Sequence, residues 1–353
     1  MNRLAYLSQT LPVNIAENSG YSGLEFVVLN YNSKDGMDDW INSNMSPHIE
    51  SGLLKYYKTN EPECFNIAHS KNMAGKLATG DIICNVDADN FAGPGYVHWV
   101  AEVFEQNGPD TVITCHRKDA IPYRDQGGKL CFTKSLFSAI NGYDESLIGY
   151  GMDDVELANR LENAGGKRVF IEDEKFLRFI GHSDLERIVN YKYPANLENI
   201  YIRVSDSSDG RQKVLYLFKD NSAAEMSYEF NEAKKNNLVT TFVGWTVDRE
   251  SHRKASFQKT ANQLQLTFTD GRADAYREKD GVLDPVGNKN GSTWKKITSK
   301  DNIYFKLIMG YNECLNRLTL VENERNQTVV NKNGWGQGTV YLNFDNRQSH
   351  AVV

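Results

Sequence analysis

No apolar run in the 353 residues approaches the roughly 20 that a membrane-crossing helix requires. That excludes a transmembrane helix and leaves peripheral contact as the one membrane role to consider. No secretory leader pattern opens the chain. Cysteine is sparse: the five (Cys64, Cys84, Cys115, Cys131, Cys314) are scattered and form no CxxC pair. This spacing argues against a disulfide framework or a zinc site, and for reduced thiols in the cytoplasm. Long basic runs are missing too, and the formal net charge is -6. A nucleic-acid partner is therefore not expected.

What is present is a large apolar complement, 40% of residues, enough for two cores. The front of the chain alternates strand-like and helix-like stretches. Leu4, Leu7 and Leu11 recur at helical spacing until Pro12 interrupts them. "LEFVVLNY" (24–31) reads as a buried strand, "MDDWINSNM" (37–45) as a short helix and "IAHSKNMAGKLA" (67–78) as another. "DIICNVDAD" reads as the next strand, "GYVHWVAEVFEQ" as a helix closed by Gly108, and "TVITCHR" as a strand. The alternation predicts a mostly parallel sheet covered on both faces. Near residue 205 the pattern changes to short runs with period-two alternation, among them "QLQLTFTD", "NIYFKLIMGY", "RLTLVE" and "GTVYLNF". These predict an antiparallel β domain, a sandwich or barrel, over 206–353 after an α/β domain over 1–205. Trp245, Trp294 and Trp335 in this second part are either core or a carbohydrate-binding face, and core is the commoner use.

Two short stretches carry chemistry. In "CNVDADNF" (84–91), Asp87 and Asp89 lie two apart at the end of an apolar run. In a strand that spacing puts both on one face, where paired carboxylates suit a divalent cation carrying a phosphate. The bland alternative is an Asp-Asn turn that ends the strand. In "GYGMDDVELANRL", Val155, Ala158 and Leu161 mark a helix starting near Asp153. Asp153 and Asp154 then occupy its first turn, an ordinary place for acidic residues. The preceding glycines allow close approach of a ligand around Tyr150.

Together, "GDIICNVDADN" and "NGYDESLIGYGMDDVELANRL" resemble nucleotide-sugar glycosyltransferases with a DxD motif, family 2 and the beta-1,4-galactosyltransferase catalytic domain in particular. The resemblance covers about the first 190 residues. It implies a GT-A-type α/β fold with helices on both faces of the sheet. It also implies a first strand that this chain lacks or replaces. "NRLAYLSQTLP" is similar to the family's Asn-Arg start, which makes Arg3 a diphosphate contact. "NYNSKDG" makes Asp35 the uracil reader, and "HSKNMAGKLATGD" makes Lys71 a phosphate or uridine contact, a role for which Arg117 is a weaker candidate. Gly127 and Gly128 match the donor-sugar glycine stretch. "RFIGHSDLE" makes His182 a metal ligand beside Asp89, with Asp87 at the ribose or the metal's water shell. Met152 stands where galactosyltransferases tend to have glycine.

The resemblance implies an enzyme that moves a sugar from a UDP-sugar (galactose, N-acetylgalactosamine or glucose) to a glycan or glycoconjugate hydroxyl. Imidazole plus carboxylate favours Mn²⁺ over Mg²⁺ as its metal. Inverting transfer needs one base, assigned to Asp154, with Asp153 and Tyr150 on the acceptor; retention remains an alternative. The setting implied is the cytoplasm, at the inner face of a bacterial membrane. Competing readings are a non-catalytic glycan-binding protein on a decayed transferase domain, a metal-dependent hydrolase and a sugar nucleotidyltransferase. The last lacks the N-terminal glycine-rich loop that it needs.

Overall fold

The computed structural model describes residues 1–115, 128–192, 196–204, 211–229, 252–287, 292–301 and 303–353. These fall into two compact units. The first is Met1–Asn190 with Glu322–Val353, and the second is Tyr191–Val321. The boundary therefore lies about 15 residues before the predicted one, and the last stretch of the chain returns to the first unit. Arg117, Gly127 and Trp245 lie outside the described residues.

The first unit contains two four-stranded sheets. Strands β1 (Phe26–Tyr31), β2 (Leu54–Thr59), β15 (Gly338–Leu342) and β16 (Ser349–Val352) form one, in that order. Strands β3 (Ile82–Asn85), β5 (Leu130–Thr133), β4 (Thr111–Thr114) and β6 (Lys167–Phe170) form the other. Only β1 with β2 and β4 with β6 run parallel among the described residues. Hairpin-like neighbours and the returning β15 make the remaining pairs antiparallel. The predicted mostly parallel sheet is thus a pair of mixed sheets. Helices α2 (Met37–Glu50), α3 (Ile67–Leu77), α4 (Tyr96–Asn107), α5 (Lys134–Ala139), α6 (Asp153–Asn163) and α7 (Asp184–Ile188) alternate with these strands.

Helix α1 runs from Leu4 to Asn18, straight through Pro12. An internal proline costs a helix about 3 kcal/mol, so the helix must be held from outside. Leu7, Leu11 and Ile15, four apart, enter a core with Ile41, Leu54 and Tyr56. Beside them Thr10, Asn14 and Asn18, also four apart, are buried and polar. The Thr10 hydroxyl donates to the Ala88 carbonyl at 2.6 Å. Asn14 donates to the Asn90 carbonyl at 3.0 Å and accepts from the Ala92 amide at 2.7 Å. Asn18 spans the Gly93 carbonyl and the Val97 amide, both at 3.1 Å. One helix stripe thus fixes the backbone that follows β3.

The second unit is an eight-stranded closed barrel in which each strand pairs with its neighbour in sequence. Its strands are β7 (Leu197–Arg203), β8 (Arg211–Phe218), β9 (Ser222–Glu229), β10 (Arg253–Lys259), β11 (Gln263–Phe268), β12 (Ala273–Lys279), β13 (Val282–Pro285) and β14 (Trp294–Ile297). Pairing of β14 with β7 closes the ring. Strict alternation in β11, with Leu264, Leu266 and Phe268 buried, turns one face inward. Trp294 sits in that interior core at 3% exposure, which settles it as packing. Trp335 belongs to the first unit, where it meets Phe137 edge-on. "NIYFKLIMGY" and "RLTLVE" are not strands but parts of one helix, α8 (Tyr304–Asn326). Its buried Leu307, Tyr311 and Cys314 follow helical spacing. No described helix is long and apolar enough to cross a membrane.

Candidate active site

Strand β3 ends at Asn85, sooner than its apolar run suggests. Residues 87–90 form a turn closed by the Asn90 amide on the Asp87 carbonyl at 2.9 Å. Asp87 and Asp89 therefore do not share a strand face, and the two carboxylates take different neighbours. Asp89 Oδ2 lies 2.7 Å from His182 Nε2, although 93 residues separate them. Its other oxygen accepts from the Asn90 side chain at 2.7 Å. Burial pushes the Asp89 carboxyl up, but the hydrogen bonds from His182 and Asn90 outweigh that and hold it below its ordinary value. The ring of His182 meets Tyr6 edge-on at 5.6 Å.

Asp87 lies on the opposite side of the turn, 3.7 Å from Lys71 Nζ. Lodging among protein atoms pushes its carboxyl up to about 6. The side chain keeps 38% of its surface accessible, so solvent moderates that push. Gly128 is pressed against it: a Cβ there would come within 2.0 Å of Asp87 Oδ2. A glycine at 128 is what lets Asp87 stand where it does.

Lys71, on α3, gathers the second block. Its ammonium donates to Asp154 Oδ1 at 2.7 Å and to Asp153 Oδ2 at 3.0 Å. The Tyr143 hydroxyl donates to the same Asp154 oxygen at 3.0 Å and accepts from the Asn85 side chain at 2.5 Å. Burial alone would strip the lysine's proton, but the three carboxylates reverse this and hold its pKa well above normal. Next along α3, Asn72 fixes Tyr143 by accepting from its amide at 2.7 Å and donating to its carbonyl at 2.9 Å. The returning C-terminal segment supports the same loop. Asn331 donates to the Tyr143 carbonyl at 2.6 Å, and the Gly336 amide donates to Glu145 at 2.6 Å.

The loop before α6 is bent into an unusual shape. Gly149, Gly151 and Met152 all have positive φ, 60°, 96° and 74°. For Met152, the residue that caps α6, this left-handed backbone costs about 1–2 kcal/mol. Tyr150 accepts a 2.5 Å hydrogen bond from Arg187, whose guanidinium also lies over its ring. Arg3 donates from Nη2 to the Glu186 carbonyl at 2.8 Å. Asp35 accepts from the Leu4 amide at 2.7 Å and so serves the start of α1. Thus Lys71, Asp87, Asp153, Asp154 and Gly128 form one cluster, and Asp89 with His182 a second one joined to it through the 87–90 turn. Arg3 and Tyr150 are linked to the second through α7. Tyr143, Glu186 and Arg187 were not singled out by sequence. Tyr143 lies within "NGYDE" and differs from other tyrosines only in its place; Arg187 follows "GHSDLE" directly.

The site can be compared with known proteins on this basis. The glycosyl transferase family 2 model matches residues 1–147, and the model for the N-terminal domain of galactosyltransferase matches 116–183. The first unit is a glycosyltransferase domain. Both matches fall inside it, and neither reaches the barrel. No curated protein matches the chain. Among solved structures, the mannosyltransferase PcManGT from Pyrobaculum calidifontis, in complex with GDP-Man and Mn²⁺, is 22% identical. That match covers 48% of this chain and 51% of that one, with a TM-score of 0.39. The Drosophila beta-1,4-galactosyltransferase 7 mutant in complex with manganese, UDP-Gal and xylobiose is 17% identical, over 46% and 74% of the chains, with a TM-score of 0.32. The Cpx pathway activator NlpE from Escherichia coli is 19% identical, over 29% and 45%, with a TM-score of 0.19. The chain spans about half the length of PcManGT and of NlpE.

Would the transferase domain accept a divalent metal? Asp89 and His182 offer one oxygen and one nitrogen, which in this structure lie 2.7 Å apart and bond to each other. The other ring nitrogen of His182 is buried with no hydrogen-bond partner. No group of three or more potential ligands occurs among the described residues. The donor set therefore fits a metal that completes its shell with substrate oxygens and water, as one bound to a diphosphate does.

Proposed function

We propose that the protein is a metal-dependent glycosyltransferase that moves a hexose from a UDP-sugar to a glycan or glycoconjugate hydroxyl, with inversion. The supporting observation is the convergence on Lys71 of carboxylates from two distant segments, Asp87 after β3 and Asp153 with Asp154 at the start of α6. Asp89 and His182 would hold Mn²⁺, with Mg²⁺ the poorer fit to the imidazole. When bound, the metal supplies positive charge to the leaving diphosphate.

The chain's own groups do the rest. Arg3, at the start of α1, is assigned to the diphosphate and Asp35 to the base. Asp35 can keep its bond to the Leu4 amide through one oxygen and offer the other. Asp87 is assigned to the ribose, and Gly128, with no Cβ, leaves room for its carboxylate to take that place. Tyr150 and Asp153 receive the acceptor. Asp154 takes the proton of the attacking hydroxyl. It is oriented for this by the Tyr143 hydroxyl and the Lys71 ammonium, and it sits where the α6 dipole favours the ionised form. Galactose, N-acetylgalactosamine and glucose are the donors to test.

Calorimetry with UDP, with and without Mn²⁺, and a UDP-sugar hydrolysis panel test this reading. Asp89→Ala should lose metal-dependent UDP binding. Asp154→Asn should keep it and lose transfer. Equal UDP affinity in wild type and Asp89→Ala would remove the metal assignment.

A further inference from the structure

Asp153 and Asp154 are adjacent carboxylates with side chains only 8% and 12% exposed. Two such groups repel, and in a poorly hydrated place one of them ordinarily keeps a proton at neutral pH. A protonated Asp154 cannot serve as a base. Other groups nearby add to the pressure: Asp87 carries negative charge on the far side of Lys71, and Glu156 lies one turn along. Glu156 is neutralised by its own pair with Arg160. Cys115, at the end of β4, adds no charge, because burial pushes its thiol up to about 12. The Tyr143 hydroxyl helps Asp154 alone. Lys71 reaches both.

We propose that Lys71 is a positioning residue: its ammonium, bridging the acidic pair, keeps Asp154 ionised and turns it toward the end of β3. The inference deepens the reading of Asp154 as base and rests on it for its effect on rate. It differs from a phosphate-contact role, because the lysine already has protein carboxylates as partners before any donor arrives: it donates to Asp153 and Asp154 and lies 3.7 Å from Asp87. Its stem lies against the Tyr143 ring, with Nζ 5.2 Å from the centroid, so the same residue that orients Asp154 also orients the lysine.

The test has two readouts on the full-length protein without donor or metal. The first is titration of ¹³C-labelled aspartate carboxyls by NMR, with the Asp154 signal identified by its loss in Asp154→Asn. In wild type Asp154 should take up no proton between about pH 5 and 8; in Lys71→Met it should, at least about one unit above the ordinary carboxyl value. Coincident titrations in wild type and Lys71→Met would overturn the inference. Should Lys71→Met not fold, proton uptake by wild-type Asp154 in that range would overturn it as well. The second readout is the pH profile of transfer. Lys71→Met should lose about tenfold or more at pH 7 and recover as pH rises, with Lys71→Arg close to wild type. A loss equal at every pH would mark a merely structural lysine and count against the proposal. If no UDP-sugar is turned over by any variant while the NMR shift appears, the transferase reading fails and the positioning role stands.

Discussion

Replacing Asn14 by alanine should release the turn that carries Asp87 and Asp89. The asparagine side chain satisfies two backbone groups at once, the Asn90 carbonyl and the Ala92 amide, and it is 7% exposed. Each buried group left without a partner costs about 1–3 kcal/mol. The two groups together come to roughly 2–6 kcal/mol, spent locally before it is felt globally, and the small void that alanine leaves adds to this. The direct assay is amide exchange. The Ala92 amide, now donating to Asn14, should exchange about 30-fold faster or more, a factor that corresponds to about 2 kcal/mol. Metal-dependent UDP binding should weaken in parallel. Asn44→Ala is the control, because its exposed side chain reaches only the carbonyl one turn back, and little should change. If Ala92 exchanges at the same rate in both variants, the stripe on α1 does not hold the turn and the reasoning is wrong.

Met152→Gly should raise the thermal midpoint slightly: relief of the φ of 74° is worth about 1–2 kcal/mol, against about 0.5–1 kcal/mol of added backbone entropy loss. Gly128→Ala should abolish transfer with little change in stability, since the new Cβ displaces the Asp87 carboxylate; retained activity on a crystallographically unshifted Asp87 would contradict the contact. Burial pushes Asp38 up, but Lys58, Tyr56 and Asn30 donate to it and hold its carboxyl below the ordinary value. A depressed carboxyl contributes stability above its unfolded pKa, near 4, and loses it as pH falls through the lower folded value. Acid unfolding curves of Asp38→Asn should therefore flatten below about pH 4, relative to wild type.

Local signals were legible where packing follows chain order. The alternation through residue 115 gives β1, α2, α3, β3, α4 and β4 in sequence, because each apolar run is bounded by its own turn residues; β2, whose Leu54, Tyr56 and Tyr57 are interleaved with lysines, was missed. Placing Asp153 and Asp154 in the first turn of α6 needed only the spacing of the residues behind them. The proximity of Asp89 and His182 came from resemblance, as no periodicity links residues 93 apart. Three features were hidden for physical reasons. The end of β3 is set by the bonds of Thr10 and Asn14, which act from another element. Helix α1 passes Pro12 because tertiary contacts outweigh the local penalty. The short apolar runs inside α8 mimic strand alternation, and only their continuity over 23 residues reveals the helix.

The return of residues 322–353 to the first unit bears on how the molecule is made. Strand β15 docks on β2, and Asn331 and Gly336 brace the loop that presents Tyr143. The barrel, by contrast, is one uninterrupted stretch, so on the ribosome it can close while the enzyme domain still waits for its final strands. Nascent chains arrested shortly before residue 331 should therefore hold a finished barrel beside an unfinished, protease-sensitive transferase. The first unit would then be completed only after the barrel, when residues 322–353 leave the ribosome.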